Sequence, residues 1–191
     1  MRANRAQNQL RIIGGRWRGR TLPFAALTGL RPTPDRVRET LFNWLAPVIQ
    51  GSRCLDLYAG SGALGLEAAS RGAAGVVMVD SAGEVVGSLR DQRAILDAGE
   101  VEVIQADVVQ WLRGSPAQAF DIVFLDPPFR QGLLSETMQL LEVNGWLAAD
   151  ACIYIEAEKE LQPDLPEGWE TFRSKQAGQV GYQLVRRHGN Q

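Results

Sequence analysis

The 191 residues suffice for one domain with a short appendage and a core that needs no disulfide or metal staple, and an apolar share of 45% with 22% charged residues is that of an ordinary soluble chain. No apolar run has the length of a membrane span, the Arg-studded start lacks the apolar centre of a secretory signal, and Cys54 and Cys152 lie in apolar runs, which reads as buried free thiols in a reducing, cytoplasmic setting. The net charge of −2 is uneven: residues 1–38 hold nine arginines against Asp35 (+8) and the rest holds 11 basic against 21 acidic residues (−10), the pattern of a nucleic-acid arm on an acidic domain.

"QLRIIGGRWRGRTLPF" (9–24) predicts two short strands about Gly14-Gly15, a hairpin with its arginines on the exposed side. Ile12, Ile13, Trp17, Leu22 and Phe24 make it too apolar for a disordered tail. Arginine also forks onto phosphates and stacks on bases. A turn-rich link then offers Thr33 as N-cap and Pro34 as first helical residue of a helix over 34–46, with Val37, Leu41, Phe42 and Leu45 on one face. Arg36 and Arg38 fall off that stripe and are expected to face a partner. Residues 1–33 are thus expected to form a basic RNA-binding extension, and 34–191 the main domain.

From residue 52 the pattern alternates. Strands are predicted at 53–57, 75–80, 101–107, 120–126 and 151–157, with helices at 63–72, 84–98, 108–114 and 133–143 between them. The tail "GWETFRSKQAGQVGYQLVRR" reads as two further strands about Gly178. Repeated β-α units demand a mostly parallel, Rossmann-like sheet with helices on both faces.

In such sheets ligands bind outside the carboxyl ends of the strands. The first four strands each finish on or beside an acid: Asp56, Asp80, Asp107 and Asp126. "DLYAGSGALG" (56–65) spells G-x-G-x-x-G at Gly60, Gly62 and Gly65, and the Gly60–Gly62 turn should let a ligand approach the backbone closely. Asp80 follows Gly60 by 20 residues, the spacing for an acid that accepts from ribose hydroxyls. Asp56, on the lip of the loop, disfavours a diphosphate and favours the sulfonium and ammonium of S-adenosylmethionine. The expected cofactor contacts are Asp56, Tyr58, Gly60, Ser61, Gly62, Asp80, Ser81, Asp107, Val108 and Asp126. "DPPF" supplies chemistry: Asp126 and the carbonyls of Pro127 and Pro128 accept from an exocyclic amine, and Phe129 stacks on the base. Metal chemistry lacks ligands, with His188 alone and the cysteines far apart.

These motifs resemble class I methyltransferases that act on exocyclic amino groups. "RIIGGRWRGRTLP", "RPTPDRVRETLFNWL", "CLDLYAGSGALGLEAASRGA" and "KQAGQVGYQL" are similar to the RsmD family over nearly the whole chain. The resemblance implies a seven-stranded sheet with its last strand antiparallel. It also implies methyl transfer from S-adenosylmethionine to the N2 amine of guanine 966 in bacterial 16S ribosomal RNA, within a 30S particle or assembly intermediate. Arg11, Arg16, Arg18, Arg20, Arg31, Arg36 and Arg38 are expected to grip phosphates, and the chain to act as a monomer. The alternatives are adenine-N6 methylation of RNA or DNA and a non-catalytic RNA-binding assembly factor.

Overall fold

Residues 8–25, 32–128 and 132–189 are described in a computed structural model, and its first element is the hairpin. Strands β1 (Asn8–Arg11) and β2 (Thr21–Phe24) pair antiparallel, Asn8 opposite Phe24. The turn is wider than two glycines. Nine residues, 12–20, join the strands and include a single 3-10 turn at Gly15–Trp17. The reason is packing: Ile12 and Trp17 are buried, so the loop folds inward onto the domain. Helix α1 (Asp35–Leu45) buries Val37, Leu41, Phe42 and Leu45 as its periodicity requires. Pro34 takes the cap position, one residue later than expected, and the Thr33 carbonyl accepts from Arg38 Nε at 3.1 Å.

The alternating region forms β3 (Arg53–Leu57), α2 (Ala63–Ser70), β4 (Gly75–Asp80), α3 (Gly83–Leu96), β5 (Val101–Gln105), α4 (Val108–Gly114), β6 (Phe120–Leu125) and α5 (Leu133–Val143). It closes with β7 (Leu147–Glu158), β8 (Trp169–Ala177) and β9 (Val180–Arg187). The seven strands are ordered β5-β4-β3-β6-β7-β9-β8, and β9 alone runs against its neighbours. The hairpin about Gly178, whose φ is 62°, is where the sequence puts it. Strand β7 begins at 147 rather than 151. Phe120 pairs with Leu147 across a register shift, and Ala148, Ala149 and Asp150 then extend the strand without a hydrophobic signal.

Strand residues alternate between two cores. Cys54, Ile122, Phe124, Cys152 and Tyr154 pack under α1, α2, α3 and the hairpin. Leu55, Leu57, Val123, Leu125, Ile153 and Ile155 pack under α4 and α5. Apolar residues on both sides of one strand are what a parallel sheet covered on both faces requires. Both cysteines are free and buried, and burial raises the Cys54 thiol to about 12. No helix among the described residues is long and apolar enough to cross a membrane.

The hairpin is built into the first of these cores. Leu10, Ile12, Trp17, Leu22 and Phe24 belong to it. Ser70 Oγ donates to the Gly14 carbonyl at 2.6 Å and accepts from the Trp17 amide at 3.0 Å. A Cβ on Gly15 would collide with the Ser70 carbonyl, so this glycine is needed for close approach to α2. The Ile13 amide donates to Glu67 Oε2 at 3.0 Å.

Candidate functional site

Strand order reverses between β3 and β6, and the carboxyl ends of these strands carry the site. The connection from β3 to α2 is held in three left-handed conformations within five residues: Tyr58 (φ 64°), Gly60 (φ 54°) and Gly62 (φ 78°). For Tyr58 this is strained backbone, stabilised by its hydroxyl against Thr137 Oγ1 at 2.8 Å and by the Ala59 amide donating to the Val79 carbonyl at 3.0 Å. Asp80, half-buried at the end of β4, accepts from the Gly60 amide at 3.0 Å and the Ala82 amide at 2.9 Å. One carboxylate thereby fixes the glycine turn and the start of α3 together.

The glycines answer to the protein's own packing more than to close ligand approach. A Cβ on Gly62 would lie 2.7 Å from Leu89 Cδ2, and one on Gly65 2.9 Å from Asp56 Oδ2. Asp56 itself is beneath the loop, not on its lip. It is 2% exposed, and its Oδ2 accepts from the Gly65 amide at 2.8 Å. Burial pushes its carboxyl up to about 8, with the Gly65 hydrogen bond opposing and the Asp80 charge adding to the rise. Because strand residues alternate in phase, Asp56 falls on the α2 side with Cys54, and α2 covers it.

Ser61 is buried, and its carbonyl accepts from Gln92 Nε2 at 3.2 Å. The same Nε2 donates to the Pro23 carbonyl at 2.9 Å, tying hairpin to glycine loop through a residue that nothing in its helical context singles out. Ser81 and Asp107 are exposed and Val108 is buried. Asp107 caps α4, accepting from the Gln110 amide at 2.9 Å, because β5 stops at Gln105 rather than 107.

Asp126 is half-buried immediately after β6, followed by buried Pro127 and exposed Pro128; Phe129 lies outside the described residues. Burial raises Asp126 well above the ordinary aspartate range, and the Glu156 and Asp56 carboxyls raise it further. Glu156 is a fifth acid in the strand-end series, one that the sequence reading missed although an acid closing the apolar run "ACIYI" was its signal. Strands β6 and β7 pair Leu125 with Ile155, so Asp126, just after β6, and Glu156, near the end of β7, come next side by side. Tyr154 donates its hydroxyl to Glu156 Oε2 at 2.8 Å. A cleft of about 480 Å³ opens here, lined by Pro127, Gly132, Leu134, Glu156 and Leu161 among others.

The arginines divide. Arg38 is buried, not partner-facing: its guanidinium donates to Asp35 Oδ1 at 2.5 Å, the Arg11 carbonyl at 2.9 Å and Glu67 Oε2 at 3.5 Å. It points into the joint between α1, α2 and the hairpin, because the hairpin brings acceptors to a helix face that would otherwise be solvated. Arg16 pairs with Glu100 and covers the Trp17 ring, and Arg20 donates to the Ile95 carbonyl. Ser70, Ile95 and Glu100 mark the edge where β4 and β5 begin, so the hairpin loop with Arg16, Arg18 and Arg20 sits at the opposite edge from the strand-end acids. Arg11, Arg18 and Arg36 are exposed, with side chains unpartnered among the described residues; Arg31 lies outside them.

Asp56, Asp80, Asp107, Asp126 and Glu156 make no ion pair among the described residues, whereas the chain's other buried acid, Glu67, is paired. Asp80 and Asp107 meet no neutralising cation at this edge among the described residues, and Asp56, Asp126 and Glu156, whose carboxyls burial shifts toward the protonated form, gain by ionising beside a cationic ligand such as S-adenosylmethionine. No group of acids, histidines and cysteines among the described residues has the arrangement of a metal site.

Comparison with known proteins agrees with this chemistry. The model of the family described as conserved hypothetical protein 95 matches residues 10–186. The chain is 54% identical to ribosomal RNA small subunit methyltransferase D of Escherichia coli K12, over 94% of its own length and 90% of the relative's. It is 44% identical to the same-named protein of Haemophilus influenzae, covering 94% of each. The solved Escherichia coli protein yhhF superposes with a TM-score of 0.89 at 53% identity, covering 96% of this chain and all of that one.

Proposed function

The chain belongs to the family described as conserved hypothetical protein 95, the RsmD family, and on that premise we propose that it methylates the exocyclic N2 amine of a guanine in 16S ribosomal RNA. At the coarser level it is an S-adenosylmethionine-dependent methyltransferase of small-subunit ribosomal RNA. The carrying observation is the edge of five acids beside the glycine turn, none in an ion pair among the described residues.

S-adenosylmethionine supplies a sulfonium-bound methyl already activated for transfer to a nitrogen lone pair, so positioning and electrostatics are what the chain must add. Asp80 would hold the ribose, Tyr58, Ser61 and Ser81 would serve the stretch between turn and α3, and Asp107 with Val108 would hold the purine. Asp126 and the Pro127 carbonyl would accept from N2–H and aim the lone pair at the methyl, and Asp126 would take the proton as the N–C bond forms and the donor's S–C bond breaks, leaving the thioether S-adenosylhomocysteine. Phe129 stacks on the base.

Methyl transfer to 30S particles lacking the modification, followed by mapping of the methylated nucleotide, tests this reading. N2-methylguanine is expected; N6-methyladenine would overturn it.

Binding of the cofactor is expected to expel a proton near pH 7. Asp56, held protonated by burial up to about 8, ionises when a cation is placed beside it. Calorimetry in buffers of different ionisation enthalpy should give different apparent enthalpies; identical ones would rule the linkage out. The sign for folding is the reverse of an ordinary paired aspartate. The unfolded carboxyl ionises at its usual low pH while the folded one stays protonated, so the unliganded protein loses stability as pH rises toward 8.

The substrate is an assembled or assembling subunit, met by a monomer whose phosphate grip comes from Arg11, Arg18 and Arg36. Arg18→Ala and Arg36→Ala should each lower the slope of log affinity against log salt by about 1. Arg16 and Arg20, committed to Glu100 and the Ile95 carbonyl, should change that slope less. Equal slopes in all four variants would remove the distinction.

A further inference from the structure

Two glutamates among the described residues are buried, Glu67 and Glu156, and a third, Glu142, is partly exposed; Glu67 and Glu142 have cations beside them. Glu67 is held by Arg38 and Arg71, and Glu142 by both Arg187 nitrogens and the Trp169 indole. Glu156 is different. It is 7% exposed, meets no arginine or lysine among the described residues, and has one hydrogen bond there, from Tyr154 to Oε2. Its other oxygen has no hydrogen-bond partner among the described residues, and Glu156 is among the residues that line the cleft beside Pro127. That oxygen is not sealed from solvent, since Gln92 Oε1 is the one fully buried side-chain polar atom without a partner among the described residues, so it stands open to a ligand at the mouth of the cavity.

What could complete it follows from its neighbour. Asp126 follows the end of β6, and Glu156, within the last three residues of the parallel neighbour β7, comes next in the same register on the same side of the sheet, the side that Phe124 and Tyr154 occupy two residues earlier. Two acceptors side by side match two donors side by side. The Watson–Crick edge of guanine presents N1–H next to N2–H₂, whereas adenine presents an N1 lone pair next to its amine. We propose that Glu156 is a specificity-determining residue of this enzyme, its free carboxylate oxygen accepting from guanine N1–H while Asp126 takes the N2 amine. This rests on the guanine-N2 reading and adds the reason that adenine is refused: its N1 lone pair would face a carboxylate. The Tyr154 hydroxyl fixes the rotamer, anchoring one oxygen and leaving the other directed to the base.

The test exchanges acceptor for donor. In Glu156→Gln the Tyr154 hydroxyl retains the amide oxygen and turns the NH₂ toward the base. The substrates are small subunits rebuilt with RNA carrying either guanine or 2-aminopurine at the mapped target; the latter keeps the N2 amine but has an N1 lone pair. Wild-type protein should strongly prefer guanine. Glu156→Gln should lose about 10- to 100-fold in kcat/KM on guanine, the range expected when a charge-assisted hydrogen bond is lost. Its guanine to 2-aminopurine preference should fall by at least about 10-fold, with an unchanged m-value in urea denaturation as evidence of an intact fold. A purely structural Glu156 would lower both substrates alike, and an unchanged preference overturns the assignment while the product remains N2-methylguanine. A product of N6-methyladenine from the wild-type protein overturns the guanine reading itself, and this assignment with it.

Discussion

Asp126→Ala is expected to lower kcat for methyl transfer by roughly 10²- to 10⁴-fold, the span of a positioned proton acceptor, while S-adenosylmethionine affinity changes only a few-fold. The argument is local. Asp126 stands half-buried after the apolar run Ile122–Leu125 of β6, and Pro127 and Pro128 after it contribute carbonyls but no N–H donors. With burial, Glu156 and Asp56 all raising its proton affinity, the carboxylate is ready to receive a proton from an amine that becomes acidic only as the methyl arrives. Asp126→Asn keeps the shape and an accepting oxygen but cannot take the proton, and should fall between wild type and alanine. Single-turnover transfer measured with saturating cofactor separates chemistry from binding. A rate for Asp126→Ala within 3-fold of wild type would mean that the acceptor is elsewhere.

The largest loss of stability is expected from Glu67→Ala. Glu67 is fully buried on α2 and accepts from the Ile13 amide, from Arg38 and, at 2.7 Å, from Arg71. Its removal takes the acid from Arg71 and one of the two acids from Arg38, which is 1% exposed and keeps Asp35, and leaves the Ile13 amide unpaired. Breaking a buried ion pair from one side costs about 3–5 kcal/mol. For a chain of this size that is a fall in Tm on the order of 10 °C. The control is Glu136→Ala, which removes the exposed pair with Arg113 and should cost less than about 1 kcal/mol. Urea denaturation with unchanged m-value reads both; equal midpoint shifts would show that the Glu67 joint is not the fastening of the hairpin.

Much of the fold was legible. Parallel strands buried on both faces are short apolar runs, and helices between them repeat every three to four residues, so β3 and β4 were placed to the residue and α5 at both ends. Boundaries slipped where the signal is not hydrophobic. Asp107 lies beyond β5 because its carboxylate caps α4, and the start of β7 carries alanines and Asp150 that pattern with a loop. The candidate site was legible as a series of strand-end acids, since topology alone carries every such end to one edge.

The sequence by itself determined the alternation of strands and helices, the glycine turn, the acids at the strand ends and the amine-accepting "DPPF", because each is written in neighbouring residues. Only the tertiary structure decided which charges are structural. Arg38 and Arg36 are two residues apart on one helix, yet one is sealed against Glu67 and the other exposed. Asp56 became a buried support for Gly65, and Glu156 an unpaired acid beside Asp126. The loop holding Arg16, Arg18 and Arg20 went to the edge where strands begin. The environment of a charge is set by what packs over it from distant parts of the chain, and no local periodicity records that.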